Sequence, residues 1–138
     1  WKTDVKHYEM KIKEMGLTNH VTTHFKYIKD KNLDQLYKEA SIVVMPYKKI
    51  YQSGVLLLSL SYGRAVIASD LPTFKEFISD KKNGFLFKSG NSTSLSNCIL
   101  KLNHELISNV TKNSKNLISK DYDWIKIGHK TLKFYQSL

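Results

Sequence analysis

Residues 41–46 (SIVVMP) and 65–69 (AVIAS) are short apolar runs with no alternation of polar and apolar positions. Such a strand has to be covered on both faces, and chains achieve this by burying a parallel sheet between layers of helix. The flanking segments carry the complementary signal. Residues 33–40 (LDQLYKEA), with Asn32 or Asp34 as cap, the apolar run opening near Ser53, and residues 73–79 (TFKEFIS), opened by Thr73, all read as helix. Strands alternating with helices place the chain in the α/β class.

The rest of the sequence fits that frame. Val5, Tyr8, Ile12 and Met15 recur at spacings of three and four, and Gly16 stands where a helix takes a left-handed cap, so a first helix covers residues 4–15. VTTHFKYI reads as a strand over residues 21–25 followed by a loop, DKKNG as a turn, and FLF at 85–87 as a small strand. From Ser92 onward the pattern is helical in three pieces. The expected fold is a Rossmann-like, doubly wound parallel sheet with helices on both faces and a helical C-terminus. Such a domain ordinarily opens on a strand, so its first strand–helix units are expected to be missing, and residues 1–138 to form a single, partial domain.

Charge narrows the partners. The 138 residues carry a formal net charge of +10, which calls for nucleic acid, anionic headgroups or a phosphorylated small molecule. Arg64 is the sole arginine. Base readout and phosphate forks favour arginine over lysine, so nucleic acid is not expected as a partner. The scattered lysines read as a solvated surface, the other reading being a weak attraction to an anionic membrane face. No apolar run reaches the roughly 18 residues that span a bilayer, and the charged opening residues do not resemble a secretory leader. Cytoplasmic placement is expected. Cys98, alone of its kind, takes an apolar position of a helix and reads as an inert, buried thiol.

In open parallel sheets the ligand crevice lies at the carboxyl ends of the strands. The loops after Phe25, Pro46 and Ser69 should therefore meet there. The second of these, YKKIYQ, runs from Tyr47 to Gln52 and leads into the apolar helix. Ser53, Gly54 and Val55 would then present unpaired amides to the crevice, where a helix end carries roughly half a positive charge suited to phosphate. Gly54 lets a ligand approach closely, and Lys48 and Lys49 add cationic reach. The helix behind them, with Val55, Leu56, Leu57, Leu58, Leu60 and Tyr62, is apolar on nearly every side and is expected to be deeply buried. The competing reading makes Ser53 a plain cap and Gly54 a packing residue. Neither the dinucleotide nor the P-loop glycine pattern is present.

Other constellations are weaker. His20 and His24 would lie about 13 Å apart on a strand, too far for one ion, and no metal site is expected. Asp121 and Asp123 precede a helix and read as capping residues. Glu76, in the short helix near the crevice, is the acidic residue to watch. Asn91 and Asn109 open chance-level glycosylation patterns.

Residues 33–102 as an ordered set, within a likeness that spans residues 21–138, resemble the C-terminal, donor-binding domain of GT-B-fold retaining glycosyltransferases of the family-4 kind. The resemblance is carried by Leu36-Tyr37, Ala40, Pro46, Gly63, AVIASD from Ala65, Glu76, Asn83-Gly84 and Gly90. It implies a nucleotide diphosphate sugar as donor, with Ser53, Gly54 and Val55 at the diphosphate, the loop from Tyr47 and Lys48 to Gln52 at the sugar, and Tyr27 and Ile28 beside the base. It also implies an acceptor held by a missing N-terminal domain of the same polypeptide, no resident cofactor, and a final helix that packs across the interdomain cleft. The basic pair serving the leaving diphosphate would come from upstream units. Many members carry glutamates where this chain has Ile50 and Leu58, so polar uncharged groups would take over here. The alternative is a non-catalytic Rossmann-like binding or interaction domain, or one docking on anionic membrane.

Overall fold

All five residues of Ala65–Ser69 are buried, as a strand without alternation requires. The computed structural model describes residues 4–138. Residues Trp1–Gln35 and Leu36–Leu138 form two compact units.

The second unit is built on three parallel strands, β1 (Ile42–Met45), β2 (Ala65–Ser69) and β3 (Phe85–Phe87), in the order β1-β2-β3. Val43 pairs with Val66 and Ala68 with Leu86. Side chains of β2 alternate between two cores. Val66 and Ala68 join Met45, Leu56, Leu60, Phe74 and Ile78 beneath α3 (Gly54–Ser61) and α4 (Pro72–Lys75). Ala65 and Ile67 join Phe85, Phe87 and Val110 beneath α5 (Ser92–Leu100) and α6 (His104–Asp121). The α/β fold, a parallel sheet flanked by helices, is as the sequence predicts. The final helix, α7 (Trp124–Gln136), leaves Trp124, Ile125, Phe134 and Tyr135 exposed.

The first unit holds α1 (Val5–Glu14), capped by Asp4, whose carboxylate accepts from the His7 amide. Gly16, at φ 67°, closes α1 while the Leu17 amide donates back to the Ile12 carbonyl. Residues 21–25 do not form the expected strand. A strand exists only through its ladder. Here the Val21 amide is bonded to the Leu17 carbonyl, and Val21 and Phe25 are 40% and 41% exposed.

Four further expectations are corrected. α2 (Asp30–Glu39) starts before both proposed caps, with the amides of Asn32 and Leu33 bonded to the Lys29 carbonyl and Asp30 in the first turn, where the helix dipole favours it. α4 begins at Pro72 and ends at Lys75, with Glu76 as its C-cap. It is short because Asn83 intercepts the following turn: its side chain accepts from the Ser79 amide at 2.7 Å and donates to the Phe77 carbonyl at 2.7 Å. α3 is not buried all round, since Val55 is 42% exposed and Leu57 and Leu58 are half-buried. Of the aspartate pair, Asp123 caps α7 through the Lys126 amide, whereas Asp121 ends α6, where the dipole disfavours a carboxylate.

Candidate functional site

The carboxyl ends of the three strands are tied together by side chains that follow them. Ser69 Oγ donates to the Tyr47 carbonyl at 2.7 Å, and Ser89 Oγ approaches the same oxygen at 3.3 Å. The Asp70 amide donates to the Phe87 carbonyl, and the Asp70 carboxylate accepts from the Ser89 amide, both at 2.8 Å. Each loop is thus fixed where it leaves the sheet. The Tyr47 ring lies 6.0 Å from that of Phe74.

The loop from Tyr47 to Gln52 is pinned again at its far end. Thr73 Oγ1 lies 3.2 Å from the Ile50 carbonyl and 3.3 Å from that of Tyr51, so it donates to one of them. Ile50 packs against the first core, while Tyr51 is 95% exposed. Ser53 then caps α3, its extended backbone placing Oγ to accept from the Leu56 amide at 3.1 Å. Gly54 is exposed, and a Cβ built on it would meet nothing within 4 Å. No acidic residue stands in the first turn of α3, so its positive end is not neutralised from within the helix.

A cavity of about 410 Å³ opens at this end. Tyr51, Gln52, Ser53 and Gly54 line it from the loop and helix, Leu56 and Leu57 form its apolar floor, and Thr73, Glu76 and Phe77 line it from the α4 side. Gln52, Ser53 and Gly54 thus line one cavity. Tyr47, Lys48, Lys49 and Val55 are exposed near the same strand end but do not line the cavity. Tyr27, 87% exposed, and the half-buried Ile28 belong to the first unit. Sequence reasoning missed Thr73 as a loop pin, because its partners lie more than twenty residues away and its helix-start signal masks the contact.

A larger cavity, about 510 Å³, lies against β3 and α5 and shares no lining residue with the first. It includes Cys98, half-buried, whose thiol pKa is raised by burial and by the Asp80 carboxylate, with Lys101 and Lys81 opposing. It lies along β3 and α5, apart from the head of α3. Arg64 donates through Nε to the Tyr62 carbonyl and through Nη1 to the Ala40 carbonyl, both at 3.1 Å. The sole guanidinium is therefore engaged by the chain's own backbone. Among the described residues no cluster of three or more His, Cys, Asp or Glu is placed to hold a metal, and no helix is long and apolar enough to cross a membrane.

Residues 2–105 match the family model described as glycosyl transferases group 1. The chain belongs to this family. No curated protein matches it in sequence. Among solved structures, it resembles the C-terminal domain of the group 1 glycosyl transferase LpcC from Francisella tularensis, at 23% identity and TM-score 0.78, over 86% of this chain and 62% of that one. It also resembles sucrose-phosphate synthase from Thermosynechococcus elongatus, at 20% identity and TM-score 0.83, over 96% of this chain and 33% of that one. A third likeness is to Anabaena HepE in complex with UDP, at 22% identity and TM-score 0.81, over 97% of this chain and 37% of that one. HepE has also been seen with UDP-glucose, where the identity is 22%, the TM-score 0.80 and the coverage the same. The glycosyltransferase domain described here thus spans 62% of the first of these proteins and about a third of the other two.

Proposed function

We propose that this glycosyltransferase domain binds a nucleotide diphosphate sugar, with the diphosphate at the N-terminus of α3. One observation carries the reading. The end of α3 that faces the strand termini is open, fixed by Ser53 and uncovered at Gly54. Free amides there would meet the diphosphate, with Lys48 and Lys49 supplying further positive charge and the loop from Tyr47 to Gln52 touching the sugar. As the glycosyl bond breaks, the same dipoles would stabilise the departing diphosphate. The occurrence of UDP and UDP-glucose in complexes of the similarly folded HepE supports this donor class.

The further parts of the reading are a retaining transfer of a hexose, as in polysaccharide assembly in the cytoplasm, and an acceptor held by an N-terminal domain of the same polypeptide. The apolar residues exposed on α7 would rest against that domain. Tyr27 and Ile28 would flank the base. No cofactor beyond the donor is proposed. This chain by itself would bind nucleotide weakly and transfer nothing.

A second reading, a non-catalytic binding domain, is favoured by one observation: Ile50 and Leu58 stand where many members carry glutamates. Peripheral attachment to anionic membrane through the lysines belongs to that reading. Titrating the chain with UDP, GDP, UDP-glucose and anionic vesicles while recording amide NMR shifts separates them. Shifts at Gln52 to Val55 with nucleotide are expected. A flat response to every nucleotide would overturn donor binding, and a response to vesicles alone would favour the membrane.

A further inference from the structure

Among the described residues β3 ends the sheet, pairing with β2 on one side. A strand in that place shows a row of amides and carbonyls that another strand can join. Successive residues of a strand turn these groups to opposite sides. The Phe87 carbonyl accepts from the Asp70 amide, toward β2, so Leu86 and Lys88 turn theirs outward.

Both outward amides are nonetheless taken. That of Leu86 donates to Asp80 Oδ1 at 2.8 Å, and that of Lys88 to Ser94 Oγ at 3.0 Å. The Gly84 carbonyl accepts from the Lys81 amide at 2.7 Å, and the Lys88 carbonyl from the Asn91 amide at 3.1 Å. Asp80 lies beside Gly84 as an isolated parallel bridge, so a single residue stands where a further strand would run. This fold-back holds Lys81 at φ 61°, a positive value that no other non-glycine residue takes among those described. Such a backbone persists where its surroundings hold it. Ser94 is fixed in turn, because its own amide donates to the Asn91 cap of α5 at 2.8 Å. Lys81 and Lys101, which line the larger cavity beside β3, add the like charges that natural strand edges carry against one another.

We infer that Asp80 and Ser94 are latches that close the outer edge of β3 against a second copy of this chain. The partner follows from the strand itself. Phe85, Leu86 and Phe87 are apolar residues suited to a strand, and two such edges can pair about a two-fold axis, each offering the other the same groups. The amides that the latches occupy are those such a pair would use. The inference is independent of the donor reading, since neither latch lines the cavity at the head of α3.

Hydrogen exchange read residue by residue by NMR tests the latches, and sedimentation tests what they prevent. In the wild-type chain the Leu86 and Lys88 amides should be protected. Asp80→Ala should speed exchange at Leu86 about five- to tenfold, and Ser94→Ala at Lys88 by as much, as loss of one hydrogen bond requires, with Phe85 and Phe87 unchanged. Asp80→Asn keeps an acceptor oxygen and should stay near wild type. The double alanine variant should dimerise with rising concentration more strongly than the wild type, and the Leu86 amide should be protected again in the dimer. Unprotected Leu86 and Lys88 amides in the wild type overturn the inference. So does a double variant that associates no more than the wild type, or a dimer in which Leu86 stays unprotected. Should the double variant not fold, Asp80→Ala alone is held to the same outcomes.

Discussion

The two ends of α3 are treated in opposite ways by the same fold. At the C-terminal end Gly63, at φ 63°, lets the chain turn so that its amide donates to the Leu60 carbonyl and the Arg64 amide to that of Ser59, both at 2.9 Å. The Arg64 side chain then satisfies the Tyr62 and Ala40 carbonyls. A Cβ at Gly63 would fall 2.0 Å from Lys115 Cε, so α6 is packed directly on this turn. At the N-terminal end only Ser53 intervenes, taking the Leu56 amide, and Gly54 faces open space. Satisfied polar groups hold the domain together at one end. Unsatisfied donors at the other remain available to a ligand.

Substitutions along α3 should therefore trade stability effects for binding effects as they move toward its open end. Leu60→Ala, at a position with 0% exposure, should cost about 2–5 kcal/mol by urea denaturation. A much smaller loss would mean that the closed end is loosely packed. Gly63→Ala should cost about 1–2 kcal/mol for its left-handed backbone, before the displacement of Lys115 is counted, while the folded fraction keeps wild-type affinity for UDP. Reduced affinity in the folded fraction would couple the two ends and break the contrast.

Ser53→Ala removes the cap and should cost about 1 kcal/mol. It should also weaken UDP binding, since it frees the turn that orients the amides. Loss of stability with unchanged binding would reduce Ser53 to a structural cap. Gly54→Val should change stability by no more than about 0.5 kcal/mol, as for other surface positions, yet abolish UDP binding by filling the space a phosphate needs. Unchanged UDP affinity in this variant, measured by calorimetry, would move the ligand away from α3.

Much of this arrangement is legible in the sequence because it depends on neighbours. The strands at 42–45, 65–69 and 85–87, the caps at Ser53 and Asp123, and the glycine after α1 each follow from residues within a few positions. The exceptions involve partners further off. Asn83 cuts α4 short from beyond the next turn. Residues 21–25 have strand-forming composition, but composition cannot provide a neighbouring strand. Glu76 drew notice as acidic and near the crevice, yet its place in one cavity with Gln52 and Ser53 depends on how α4 is hung from the loop opposite.

By itself the sequence determined the class of fold and where α3 starts, since apolar runs without alternation must be covered on both faces, and a serine ahead of an apolar run caps a helix. Only the tertiary structure decided which donors stay free and which carboxylate shares their space. Those depend on bonds such as Ser69 to Tyr47, Thr73 to Ile50 and Arg64 to Ala40, which join residues 22 to 24 positions apart. Chain closure over such distances follows from how the layers pack, and no local pattern of residues encodes it.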